Sequence, residues 1–289
     1  MFESKNEVYQ MLEQSKQLPQ LPPYGDEILA ILEENDRFDI DELAATVEKN
    51  PDIAAFYLKQ VHKILSVDFL SVKDAILFLG SNSSRNLLVY YFISLFHLGR
   101  KKSDQRIFDL RHYWLHVLGT AIGSELLLTL TGREGVFKLF TYGLLHDMGI
   151  DVLDTCMPEK MDEIYGHIRA GMHQTVAEKK ALGGLTHADI GGWLCDRWGF
   201  GTDIAHIVKF HHTPHLASEL TQDLAILYVA DSISSVYYQR LLNMDTQLHE
   251  IDKRVLKLLN LNQSDIEHIE KALPGNVENF RERFIPSTL

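Results

Sequence analysis

Five histidines and two aspartates in this chain have residue types and groupings that suit metal binding. His146 and Asp147 are adjacent in Gly143-Leu144-Leu145-His146-Asp147-Met148-Gly149, where they close an apolar run. Such side chains are expensive to bury unless a partner or a cation takes their lone pairs. His116 lies upstream in Tyr113-Trp114-Leu115-His116, and His187 downstream in Leu185-Thr186-His187-Ala188-Asp189. His211 and His212 form a pair, and Asp231 closes the series in Tyr228-Val229-Ala230-Asp231. Imidazole nitrogens and carboxylate oxygens without thiolates suit Fe, Mn, Ni, Co or Zn in an open site rather than a closed structural zinc cage. Asp147 and Asp231 supply two negative charges. Two divalent ions would therefore leave the site net positive, ready for a phosphate and for acidified water.

The elements that must carry these residues read as helices throughout. Val8, Met11 and Leu12 mark a first helix over 6–16, and the Leu18–Pro23 stretch must be extended because proline lacks the amide a helix needs. Ile28 to Leu32 predict a helix stopping near Asn35. Asp39, Asn50 (ahead of Pro51) and Ser71 are N-cap candidates, Gly80 a stop after Leu79, and Ser83 a cap for a nearly all-apolar helix to Phe96. Further helices are predicted near 108–131, 134–147, 158–171, 187–198, 203–212 and 222–243. Thr186 (with Asp189), Thr202 and Thr221 are their caps and Gly199 a terminator. A charged pair of helices follows Asp245 to about Arg283. No alternating run is long enough for a sheet, so the expected fold class is all-α. His116 then falls inside a long helix, His146 and Asp147 at a helix end, His187 in a first turn, His211 at a helix end and Asp231 inside a helix. Converging helices of a bundle build metal sites from inward-facing residues of this kind.

Composition narrows the function classes. The chain has 289 residues, 45% hydrophobic and 24% charged, with net charge -12 from 28 basic and 40 acidic residues. That balance argues against a nucleic-acid partner, which needs clustered Lys and Arg. Cys156 and Cys195 match no metal or disulfide framework and read as small buried hydrophobes. No signal-peptide core follows Met1, and no stretch is apolar enough to span a bilayer, which predicts a cytoplasmic protein with no membrane partner. Trp114, Trp193 and Trp198 read as packing aromatics. His62, His97, His112, His167, His173, His206, His249 and His268 read as ordinary.

The order His116, His146-Asp147, His187, His211-His212, Asp231 resembles the HD superfamily of metal-dependent phosphohydrolases. The surrounding text is similar to its HDOD branch, the HD-related output domain of bacterial signalling proteins. The residues carrying this are Leu18-Pro19-Gln20-Leu21-Pro22, Trp114 to His116, Gly143 to Asp147, Glu178 with His187-Ala188, and His211-His212-Thr213-Pro214. The resemblance implies an HD-type helical bundle over 18–240, with an N-terminal helical half at 18–104 and an HD-like half at 105–240. Residues 1–17 would be a separate first helix and 241–289 a C-terminal helical tail. It also implies one or two divalent ions: His116, His146, Asp147 and Asp231 as core ligands, and His187 with His211 or His212 on a second ion. Asp147 would be the catalytic ligand if the site turns over, and Glu178 either a buried acceptor fixing a histidine or a solvated charge beside Lys179 and Lys180. The expected role is signal transduction with a phosphorylated small molecule or a signalling protein as partner. Hydrolysis of a nucleotide or cyclic dinucleotide, and a metal-free interaction module, are the alternatives. Compared with the phosphodiesterases called HD-GYP, His-Asp is followed by Met148-Gly149-Ile150-Asp151 with no lysine, and His211-His212 by Thr213-Pro214-His215 with no Gly-Tyr-Pro. The family's Asn-Ser near the end of the Pro51 helix is replaced by Val61-His62-Lys63.

Overall fold

A computed structural model describes residues 4–34, 38–95, 106–132, 138–241 and 251–284, and among these every regular element is a helix. The all-α expectation is met. The first helices are α1 (Lys5–Gln14), α2 (Gly25–Glu34), α3 (Ile40–Glu48), α4 (Pro51–Leu65), α5 (Val72–Leu79) and α6 (Ser81–Ser94). Their caps follow local chemistry. The Asp39 carboxylate accepts from the Asp41 and Glu42 amides, Asn50 from Asp52 and Ile53, and Ser71 from Asp74. Gly80, at φ 88°, ends α5 and also begins α6 at Ser81, so Ser83 lies inside the helix rather than capping it. The polar break at 99–104 lies outside the described residues.

The centre of the fold is α7 (Leu110–Leu130), which packs against α8 (Lys138–Leu145), α14 (Gln222–Leu241) and α16 (Gln263–Phe284). An apolar helix contacted on several sides needs close approach. A Cβ on Gly143 of α8 would stand 2.3 Å from the Ala121 Cα of α7, so only glycine permits this crossing. The C-terminal helices α15 (Lys253–Leu258) and α16 add Val255, Ile266, Ile269, Leu273 and Val277 to the buried core. At the other end of the chain, α1 buries Val8 and Leu12 and sets Tyr9 against Trp193, ring centroids 6.0 Å apart.

Two helices were not expected: α9 (Met148–Cys156) and α11 (Gln174–Ala181). The predicted 134–147 helix instead ends at Leu145; His146 and Asp147 form a two-residue turn, and α9 begins at once. The remaining helices are α10 (Pro158–Arg169), α12 (His187–Trp198) and α13 (Thr202–Phe210). Thr186 and Asp189 form a reciprocal capping box on α12, and Gly199 ends it in the left-handed region at φ 71°. Gly201, not Thr202, holds the N-cap position of α13 and donates no side-chain cap; Thr202 is already helical. The Thr221 hydroxyl accepts from the Leu224 amide at 3.1 Å, as expected for the cap of α14. No described helix is long and apolar enough to cross a membrane.

Candidate metal centre

The five histidines and both aspartates, drawn from α7, the α8–α9 turn, α12, the end of α13 and α14, meet in one buried cluster. His146, His187 and His211 are fully buried, and Asp147 and Asp231 are each 3% exposed. Two packing features bring them together. The Gly143 crossing sets α8 on α7, which places His146 Nε2 3.3 Å from His116 Nε2. Gly149, at the start of α9, lets the backbone of α12 approach, which carries His187 to Asp147. Asp147 itself has φ -100° and ψ 13°, the sparsely populated bridge region. The Tyr113 hydroxyl donates to the Asp147 carbonyl at 3.0 Å and to Asp151 Oδ2 at 2.9 Å, bracing that turn.

Asp147 stands between two groups of donors. Its Oδ2 faces His116 Nε2 at 3.3 Å and His146 Nε2 at 3.5 Å; its Oδ1 faces His187 Nε2 at 3.2 Å and His211 Nε2 at 3.4 Å. Asp231 Oδ1 completes the first group, 3.3 Å from His116 and 3.7 Å from His146, and Asp231 Oδ2 lies 3.2 Å from His212 Nδ1. His212 Nε2 joins the second group, 3.1 Å from His187 Nε2. Among the described residues, the clusters able to hold an ion are thus Asp147, His187, His211 and His212 on one side, and His116, His146 and Asp231 on the other. Asp147 is expected from the sequence to be a core ligand and, with two ions, to bridge them; the geometry turns one of its oxygens toward each group.

Hydrogen bonding decides what these donors can do. His146 Nδ1 lies 2.7 Å from the Gly143 carbonyl and His211 Nδ1 2.7 Å from the Val208 carbonyl, so each Nδ1 carries the proton and each Nε2 keeps a lone pair. His187 Nδ1 is 2.6 Å from Glu178 Oε1, whose other oxygen accepts the His187 amide at 3.1 Å. Glu178 is 1% exposed, so it is the buried acceptor and not the solvated charge. These carbonyls and this carboxylate fix tautomer and ring angle, as partners behind metal-binding imidazoles do. With every ring neutral, lone pairs are aimed at one another: His187 Nε2 and His211 Nε2 are 3.3 Å apart. The buried Asp147 Oδ1 accepts no well-formed hydrogen bond although two imidazoles stand within 3.4 Å. Donors about 2.1 Å from a common ion lie roughly 3.0–3.4 Å from each other, close to the 3.1–3.7 Å between the donors here. The residues present fit divalent metal.

Charge supports the fit. Burial would raise the Asp147 carboxyl, but His146, His116 and His187 outweigh it and hold it well below the usual range; His212 and His146 do the same for Asp231. Burial opposes protonation of His187, yet Glu178 and Asp147 carry it well above the ordinary histidine value. His211, buried and beside His212, falls to about 3. Without a cation, a proton therefore sits on His187 where an ion would go. His187 stabilises the metal-free fold at low pH and loses that contribution as pH rises through its elevated folded value. His211 acts oppositely, losing stability as pH falls below the free histidine value. Metal must displace the His187 proton, so the melting difference between metal-loaded and EDTA-stripped protein is expected to grow from pH 6 to pH 8. Scanning fluorimetry at both pH values checks this; a difference that shrinks with rising pH is the contrary outcome.

Above the cluster a cavity of about 70 Å³ opens to solvent, reaching His116, Asp147 and His212 at its floor. His112, Asp109 and Arg169 stand among its walls. His112 had read as ordinary, yet it lies one helical turn before His116, and that spacing was the available signal.

Residues 18–214 match the family model described as the HDOD domain. Among solved structures, the chain superposes on an HDOD domain protein of unknown function from Geobacter sulfurreducens at TM-score 0.67 and 19% identity, covering 97% of this chain and 95% of that one. It superposes on a protein ascribed to signal transduction from Marinobacter aquaeolei VT8 at TM-score 0.74 and 18% identity, covering 96% and 64%. A protein ascribed to the phosphohydrolases from Shewanella amazonensis SB2B gives TM-score 0.61 at 20% identity, covering 92% and 97%. At these identities the likeness is one of fold. An uncharacterized protein of Treponema pallidum (strain Nichols) is 23% identical over 252 residues, which are 84% of this chain and 46% of the relative. The chain thus spans about half the length of that relative.

Proposed function

The chain belongs to the HDOD domain family, and on that premise we propose that it is a signal-transduction protein that holds divalent metal at the His/Asp cluster and receives a phosphorylated small molecule above it. The observation that carries this reading is the set of buried imidazole Nε2 lone pairs facing one another across Asp147. Such an arrangement needs a positive charge among the nitrogens, a proton on His187 in the metal-free fold or a cation in its place. The three carboxylates that touch the imidazoles, Asp147, Asp231 and Glu178, set against two divalent ions leave that donor set with one net positive charge. That charge favours an anion. Bound ions would supply Lewis acidity toward a phosphoryl oxygen. The protein's own share is orientation: the Gly143 and Val208 carbonyls and Glu178 hold three imidazoles in place, and Asp147 spans both donor groups.

A second reading, hydrolysis of the bound phosphoester, is favoured by the opening of the cavity directly onto His116, Asp147 and His212. Calorimetry of Mn²⁺-loaded and EDTA-stripped protein with inorganic phosphate tests the binding reading, and bis-p-nitrophenyl phosphate with added Mn²⁺ or Ni²⁺ tests turnover. Phosphate binding that requires metal is expected. Loaded protein that ignores phosphate would favour a signalling-protein partner instead, and protein that takes up no metal would favour a metal-free interaction module.

A further inference from the structure

We propose that His112, held by Asp109, and Arg169 form the anion-recognising rim of this cavity, and that its ligand is a phosphate monoester. This rests on the phosphoryl-ligand reading above and adds the groups that would recognise the ligand beyond the metal cluster.

Asp109 is the N-cap of α7. Its Oδ1 accepts from the Arg111 amide at 3.0 Å and the His112 amide at 3.1 Å, while Oδ2 is 2.8 Å from His112 Nδ1. One carboxylate therefore both caps the helix and sets the imidazole. Burial would raise the Asp109 carboxyl, but the His112 amide and ring hold it lower, so it is ionised and takes the Nδ1 proton. Nε2 is left with its lone pair, able to accept a hydrogen bond from a ligand P–OH or hydroxyl. His112 is only 30% exposed and lines the same cavity as His116. Four residues apart on one helix face, the two rings are separated by roughly 6 Å along the axis. That is about the width of a phosphoryl group set with one side on the cluster and the other on His112.

Arg169 also lines the cavity. It is the last residue of α10, and one N–H group donates to the Ile107 carbonyl at 3.3 Å. The segment that presents Ile107 and Asp109 is itself pinned. Asp162 Oδ1 accepts the Ile107 and Phe108 amides at 3.1 Å each, and Arg106 ties to Asp154 at 2.6 Å and Asp162 at 2.7 Å. The rim is thus preorganised, as a recognition site requires. A guanidinium fork matches the oxygens of a phosphate better than an ammonium does. It also supplies a cation to a site whose His-Asp pair lacks the following lysine. The cavity, about 70 Å³, is small against the roughly 300–1,000 Å³ of ordinary ligand pockets, so it takes a terminal headgroup and leaves the remainder outside. An acceptor nitrogen on His112, the Arg169 guanidinium and a positive floor favour a monoester, whose P–OH can donate to His112, over a diester, which has no P–OH.

The test is calorimetric titration of the Mn²⁺-loaded 289-residue chain with phenyl phosphate and with diphenyl phosphate. The variants are His112→Gln, Arg169→Met and Asp109→Asn, each with metal content measured. Asn also caps helices, so the last change removes the charge facing His112 and leaves α7 capped. Expected is tighter binding of the monoester. His112→Gln and Arg169→Met should each weaken it about tenfold or more with metal content unchanged, and Asp109→Asn should weaken it less. If the wild type binds phenyl phosphate and both His112→Gln and Arg169→Met bind it equally well, the rim assignment is overturned while the phosphoryl-ligand reading stands. If the diester binds as tightly as the monoester, the ligand class is overturned. If metal-loaded wild type binds neither, the reading beneath has failed and the rim fails with it.

Discussion

Asp147→Asn is expected to abolish the response of thermal stability to metal. Asparagine keeps the shape of the side chain but removes the negative charge whose two oxygens face His116 and His146 on one side and His187 and His211 on the other. With that charge gone, only Asp231 and Glu178 remain against two dications, and both ions should be lost together. A site filled at a hundred times its dissociation constant stabilises the fold by about 2.7 kcal/mol. For a chain of this size that is a rise of about 4–5 °C in melting temperature. The wild type should show that rise between EDTA and metal-replete buffer, and Asp147→Asn should show none. A variant that gains as much as the wild type on adding metal would sink the metal role of Asp147.

Gly149→Ala is expected to be the most damaging single methyl group in the molecule. Its Cβ would stand 1.9 Å from the His187 carbonyl oxygen and 2.8 Å from the Gly191 amide nitrogen, both backbone atoms that cannot rotate aside. The start of α9 and α12 must separate, at a cost of about 3 kcal/mol, which is about 5 °C in melting temperature. His187 rides on α12, so metal affinity should fall as well. Gly192→Ala is the control, because its Cβ meets nothing nearer than Lys209 Cβ at 3.7 Å. There the helix-favouring methyl should be neutral or stabilising by up to about 1 kcal/mol. Melting of the two variants with and without metal checks the contrast; equal behaviour would mean the α9–α12 contact is not what seats His187.

The site was largely legible because its residues announce themselves by type. Histidine and aspartate at the end of apolar runs are costly, and each of the seven candidates does reach the cluster. Helix ends marked by Asp39, Asn50, Ser71 and Thr186 were legible for a similar reason: a cap is local chemistry within three or four residues. The two missing helices lacked such marks. The turn before α9 contains no proline, and Gly149, which looks like a breaker, is a packing contact. The eight residues of α11 give too little periodicity, and its N-cap is His173, whose Nδ1 accepts from the Thr175 amide. Glu178 could not be resolved from the sequence because Lys179 and Lys180 follow it. Only the helix register shows that the glutamate faces inward while both lysines face solvent. His112 was passed over because its role depends on Asp109 and on a cavity wall contributed by α10, a tertiary fact.

The central claim is that two divalent ions sit on either side of Asp147. The most direct measurement is anomalous diffraction at a metal edge, from crystals of the chain purified without chelator and soaked in Mn²⁺. The account predicts two peaks, one among Asp147 Oδ2, His116, His146 and Asp231, the other among Asp147 Oδ1, His187, His211 and His212. Soaked crystals with no anomalous peak at the cluster, and with His187 and His211 still within hydrogen-bonding distance of each other, would contradict it.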